Sequence, residues 1–249
     1  RDDHQELWAA RDGFGIKPLY WAPMPGRGLC FASEAQAVTE LVGRRVSPTA
    51  VAEFLHFGSP YSVTAFDGVA ELPPGGVTIF RSNGSVDSHP GEPVGREVKD
   101  VSDVLAAAVH CHMVSDRPIA LFLSGGYDSA LIASQMVNST SRPTGITIDT
   151  GTNIADVSGA KETAAHYGLA LQVVPYRLED AALRVESYLR SMDQPTIDGV
   201  NTYFVSKVTA ETGLKVAMSG LGGDELFGGY PSFSEVPRMV GLLGAVPGM

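Results

Sequence analysis

The rhythm of apolar and polar positions changes partway along the chain. Up to about residue 90, short apolar runs at 7–10, 19–21, 29–32 and 77–80 read as strands. They are separated by turn formers: Asp12-Gly13, Pro25-Gly26 and Pro73-Pro74-Gly75-Gly76. One short helix is predicted at 48–56, with Ser47 as N-cap and Pro48 at its first position. The polar stretch 82–95, rich in Ser, Gly, Pro and Asp, reads as a linker. From about residue 97, helices at 98–113, 129–138, 159–167 and 202–212 alternate with apolar strands at 119–123, 145–149, 171–175 and 214–218. Short apolar runs alternating with helices predict an α/β fold, a doubly wound parallel sheet with right-handed crossovers.

The strand at 119–123 runs into SGGYDS, residues 124–129, and then directly into a helix. Glycines at 125 and 126 let the backbone approach an anion closely, and the first helical N–H groups then point at it with the helix dipole behind them. Ser124 and Ser129 add hydroxyl donors. No lysine follows the glycines, so this is not the GxxxxGK[ST] loop of phosphoryl-transfer enzymes. Asp128 separates a ligand loop from an ordinary glycine-rich turn. A carboxylate beside a phosphate repels it unless a cation lies between them, which points to Mg²⁺ coordination.

The segment SGLGGDELFGGY, residues 219–230, repeats the logic: strand, Ser-Gly, glycines, then acids. Ser219 and Gly220 fall where a parallel strand ends, the ligand edge of such sheets. Asp224 is then the second expected Mg²⁺ ligand.

Composition narrows the field. The chain has 249 residues, 44% of them hydrophobic and 18% charged, enough for one large domain or two small ones. A net charge of -10 argues against broad nucleic-acid binding. No apolar run reaches the ~18 residues that a membrane span needs. Cys30 and Cys111 make no disulfide scaffold and fit a reducing, cytoplasmic compartment. The sequence begins at Arg1 without a signal-like segment and stops at Met249 soon after a motif that reads as internal to a domain. A piece of a longer protein is therefore expected.

The pairing of SGGYDS with SGLGGDELFGGYP resembles the asparagine synthetase B family, whose loop of this kind is the SGGxDS loop of the N-type ATP pyrophosphatases. The runs ARDGFGIKPLY (10–20), FASE (31–34) and ELPPG (71–75) are similar to the late part of that family's N-terminal glutaminase domain. The resemblance implies residues 1–90 as the C-terminal part of an antiparallel α+β glutaminase (Ntn-type) domain. It implies residues 97–249 as an ATP pyrophosphatase domain, truncated at its C-terminus. It further implies an ATP site lined by Leu123, Ser124, Gly125, Gly126, Asp128, Ser129, Ile148, Ser219 and Gly220, with Leu123 and Ile148 packing the adenine. The activity implied is glutamine-hydrolysing synthesis of asparagine from aspartate through β-aspartyl-AMP. Asp128, Asp224 and Glu225 are the candidate catalytic acids, the substrates are aspartate or another carboxylate with glutamine or ammonia, and a homodimer is compatible with the resemblance.

Four departures qualify this. The family's nucleophilic cysteine opens its glutaminase domain, and Cys30, inside an apolar run, is no substitute. The glutamine-binding residues also precede the equivalent of Arg1, so residues 1–249 alone are expected to lack glutaminase activity. Leu221 stands where many members carry Asp or Glu, a position linked to acyl-adenylate formation. The segment 193–202, where the acceptor is expected, has its own wording, with Asp193, Asp198 and Asn201 as candidates either for the acceptor or for capping the next helix. A macrolactam- or β-lactam-forming ligase and a non-catalytic ATP-binding piece therefore stay open. His110, Cys111 and His112 share no helix face and are not expected to bind metal. Arg11 and Lys17 read as structural or interface residues, and Lys161 as solvated.

Overall fold

The computed structural model describes residues 6–91, 100–137 and 143–244. Positions 92–95 of the expected linker, 98 and 99 of the helix expected at 98–113, and Asn138 lie outside the described residues. The chain forms two compact units. The first holds the described residues up to 91 and takes back Glu186–Val200; the second holds 100–185 and the residues from Asn201 on.

The first unit contains strands β1 (Glu6–Ala10), β2 (Tyr20–Met24) and β3 (Gly28–Ala32), helices α1 (Ala35–Val42) and α2 (Pro48–Phe57), and strands β4 (Ala70–Glu71), β5 (Gly76–Arg81) and β6 (Val86–Pro90). The strands form two three-stranded antiparallel sheets, ordered β1-β5-β6 and β3-β2-β4. Phe80 of β5 meets Trp21 at 4.7 Å and Phe31 at 5.4 Å, both edge-on, and so ties the sheets together. α2 starts as its sequence requires: Pro48 takes the first position and the Ser47 hydroxyl accepts from the Ala50 amide at 3.3 Å.

The linker expected at 82–95 is corrected in its described part. β6 pairs with β5 along its length, through a turn in which Gly84 takes φ +85° and Asn83 accepts from the Ser85 amide. All five residues of β6 are exposed, so its polar composition belongs to an edge strand held by main-chain bonds. Cys30 is buried in β3 and donates to the Ala22 carbonyl at 3.4 Å, as a small core residue does.

From residue 100 on, the chain runs α3 (Val101–His112), β7 (Ile119–Phe122), α4 (Tyr127–Met136), β8 (Thr144–Asp149), α5 (Ile154–Tyr167), β9 (Ala170–Pro175), α6 (Leu178–Ser191), α7 (Gly199–Glu211), β10 (Val216–Met218), α8 (Gly223–Phe227) and α9 (Ser232–Gly244). Residues 186–191 of α6 and 199–200 of α7 belong to the first unit, the other elements to the second. α6, α8, α9 and, in the first unit, α1 are elements the apolar pattern does not announce. The sheet is parallel with order β10-β7-β8-β9. From β7 the chain moves outward through β8 and β9, then returns to place β10 on the other side of β7. The winding direction therefore reverses between β7 and β10, the point at which sheets of this kind open a crevice for ligands. Beneath it lies a core of Leu121, Leu123, Ala133, Met136, Ala160 and Ala164, and a second cluster of Tyr176, Phe204 and Val208. Among the described residues no helix is long and apolar enough to cross a membrane.

Candidate active site

Residues 124–126 leave the end of β7, and α4 begins at once, with Gly126 as its N-cap and Asp128 in its first turn. The first backward helical bond runs from the Ala130 amide to the Gly126 carbonyl at 3.3 Å. The amides of Tyr127 and Asp128 precede it and have no partner within the helix, which makes this terminus a ready seat for an anion.

The loop is braced from within. The Ser129 hydroxyl accepts from the Ser124 amide at 3.2 Å and lies 3.1 Å from the Ser124 hydroxyl and from the Gly126 carbonyl. The Ser124 hydroxyl in turn accepts from the Gly126 amide at 3.1 Å. Ser129 is buried, so its hydroxyl shapes the loop; Ser124 is exposed and faces solvent with the glycines.

The second loop follows β10. The Ser219 hydroxyl accepts from the Leu221 amide at 3.2 Å, and Gly222 takes φ +99° before α8 starts. The two loops meet at Asp128. A methyl group on Gly220 would lie 2.9 Å from the Asp128 Cβ and 3.0 Å from the Ser129 nitrogen, and one on Gly223 would lie 2.5 Å from the Asp128 Cγ. Glycine at both places is what leaves the carboxylate room. Asp224 sits in the first turn of α8, beside Gly223, with Gly229 closing on its carboxylate.

Oxygen ligands on two half-buried acids, next to an open anion seat, are the donor set that suits Mg²⁺, which keeps waters and takes one or two carboxylates together with substrate phosphates. Among the described residues no three His, Cys, Asp or Glu gather as a metal-binding group.

Other expected residues separate. Glu225 accepts from the Tyr230 hydroxyl at 2.7 Å, and that bond holds its carboxyl below the usual range. Leu221 is 80% exposed. Leu123 is 2% exposed and belongs to the main core, so the expectation that its side chain packs an adenine is corrected: only its main chain can reach a ligand. Ile148 is half-buried against the Tyr176–Phe204 cluster, and its carbonyl accepts from Asn153 at 2.8 Å.

Asp193, proposed for the acceptor or as a cap of the following helix, is a cap of a different one. Its two carboxylate oxygens accept from the Ala35 and Gln36 amides, 2.8 Å each, at the start of α1. Arg11 is structural: its guanidinium bonds the carbonyls of Leu72, Gly15 and Lys17 and pairs with Glu71 at 2.7 Å. Asp12 accepts from the amides of Phe14, Ile16 and Lys17. Asp198 and Lys161 are exposed.

The sequence reading missed Asp156. It lies in the first turn of α5, and its Oδ1 accepts from the Gly125 amide at 3.3 Å. No motif marks it, because the contact depends on α5 passing beside the loop.

The model of the asparagine synthase family matches residues 100–244, and that of the glutamine amidotransferase domain matches residues 1–89. The chain is 32% identical over 253 residues to asparagine synthetase [glutamine-hydrolyzing] 1 of Bacillus subtilis, covering 94% of this chain and 39% of that protein. It is 29% identical to a putative asparagine synthetase [glutamine-hydrolyzing] of Mycobacterium tuberculosis, covering 93% and 38%. It is 25% identical to the amidase chry2 of Gibberella zeae, covering 93% and 39%. The chain thus spans about two-fifths of the length of these relatives.

Proposed function

The chain belongs to the asparagine synthase family, and from that premise we propose that the protein it forms part of makes an amide by activating a carboxylate with ATP. Residues 1–90 are the C-terminal part of its glutamine amidotransferase domain and 97–249 part of its synthetase domain. The observation that carries the reading is the seating of Asp128 at the reversal of the sheet, against Gly220 and Gly223 and beside the open start of α4.

In this reading the amides of Tyr127 and Asp128, with the Ser124 hydroxyl, hold the pyrophosphate end of ATP. Asp128 and Asp224 would hold Mg²⁺, and the chemistry that ion would supply is neutralisation of the charge on the leaving pyrophosphate. Ser219 and Gly220 place the AMP portion. The acceptor carboxylate attacks the α-phosphorus, pyrophosphate leaves, and ammonia derived from glutamine attacks the acyl-adenylate to give amide and AMP. Positioning and charge stabilisation supply the rate, since the attacking group is the substrate's own carboxylate and no covalent enzyme intermediate is needed. The acceptor is aspartate, giving asparagine through β-aspartyl-AMP. Leu221 favours a second reading, another carboxylate as acceptor, because a leucine neither accepts a proton nor binds metal.

Pyrophosphate exchange into ATP by the full-length protein, with Mg²⁺ and a panel of carboxylates, tests both. Exchange that needs aspartate and vanishes in Asp128→Ala is the expected result. Exchange with another acid only would replace the acceptor, and silence with every acid would reject the ligase.

A further inference from the structure

Two features bring the first turn of α5 against the outer side of the 124–126 loop. The Gly125 amide donates to Asp156 Oδ1 at 3.3 Å. The backbones are also in close contact: a methyl on Gly125 would lie 3.0 Å from the Asp156 Cα and 3.1 Å from the Ala155 carbonyl oxygen, and a methyl on Gly159 would lie 2.6 Å from the Gly125 Cα. Gly159 is inside a helix, where glycine is disfavoured, and its bare Cα lets the loop approach.

The approach to α5 is itself fixed. Asp149 accepts from the Gly151 amide at 2.8 Å, Asn153 accepts from the Thr150 amide at 3.0 Å, and the Asn153 side chain donates to the Ile148 carbonyl. Asp156 is thus presented from a braced turn. With the Gly125 amide engaged by Asp156 and the Gly126 amide by Ser124, the donors left for an anion are those at the start of α4.

We propose that Asp156 is a positioning residue for the phosphate loop, holding Gly125 back against α5 so that the Tyr127 and Asp128 amides converge on the pyrophosphate. This rests on the ATP reading above. It differs from a carboxylate that merely fills the anion seat, because removing such a placeholder would tighten phosphate binding.

Calorimetric titration of the full-length protein with ATP, pyrophosphate and AMP, each with Mg²⁺, separates these outcomes. Asp156→Ala is expected to weaken ATP and pyrophosphate about tenfold, the scale of one charge-assisted hydrogen bond, with AMP within about twofold of wild type. Asp156→Asn, which keeps an Oδ1 acceptor, is expected to recover most of the loss. Unchanged or tighter ATP binding in Asp156→Ala overturns the proposal, and so does equal weakening of ATP and AMP, which would mark a general structural defect. A wild-type protein that binds none of the three overturns the ATP reading and this proposal together.

Discussion

Asp193 accepts a hydrogen bond from the Ala35 amide at 2.8 Å, across 158 positions of sequence. With the matching bond from Gln36 it caps α1, whose own N-cap residue, Glu34, makes no side-chain cap bond. Asp193→Ala therefore leaves two helix-terminal donors without their carboxylate. It should lower stability by about 1–2 kcal/mol, the usual scale for a lost cap. Urea unfolding followed by circular dichroism checks this, and an unchanged midpoint would remove the cap from the account.

Gly220→Ala should be costly to activity and mild on stability. The added methyl meets Asp128 Cβ, Asp128 C and Ser129 N at 2.9–3.0 Å, which are main-chain or main-chain-proximal atoms that cannot swing aside. Displacing the first turn of α4 by a fraction of an ångström should reduce pyrophosphate exchange by about a hundredfold. Far-ultraviolet circular dichroism confirms that the chain remains folded.

Ser129→Ala removes the hydroxyl that joins the Ser124 amide, the Ser124 hydroxyl and the Gly126 carbonyl. The loop loses its internal brace while the exposed Ser124 remains. Weaker Mg²⁺–ATP binding, by about tenfold, is expected in a titration; full affinity would mean the glycines hold their shape unaided.

Acid should act on the first unit through Glu53. The Ser62 hydroxyl and then the Tyr61 amide hold its carboxyl below the ordinary carboxylate range. A depressed folded value means the contribution is fully present above the unfolded value, near 4.5, and is lost as pH falls through the folded one. Ser62→Ala should move the Glu53 titration upward, measured by carbon-detected NMR, and should narrow the stability difference between neutral pH and the acid side of that window.

What could be read from the chain, and what could not, follows the range of each signal. The Ser47-Pro48 start of α2 and the strand–loop–helix around Ser124 are written in adjacent residues, and both were legible. α1 was not, because its capping carboxylate stands at Asp193 rather than at its own threshold. β6 reads as a linker because an exposed edge strand is held by main-chain bonds that leave no apolar pattern. In the candidate site, Ser124, Asp128, Ser219 and Gly220 follow from the motifs, while the Asp156 contact with Gly125 does not, because it comes from packing. The resemblance implies an adenine-packing side chain at Leu123, and a motif does not say that this side chain, just past a strand, turns into the core.

The order β10-β7-β8-β9 also bears on how the chain acquires its site. Met218 pairs with Leu121, so the strand leading to Ser219 closes the sheet only after β8, β9 and the intervening helices have been laid down. Such non-local pairing is slow to form, and a chain emerging from synthesis presents its N-terminal parts first. Until β10 arrives, β7 offers a bare edge of Ile119-Ala120-Leu121-Phe122, all four apolar and the first three buried in the finished fold. Nascent or clipped chains that have not gained 216–218 are thus the aggregation-prone species, and the edge that carries the candidate site doubles as the sheet's last seam.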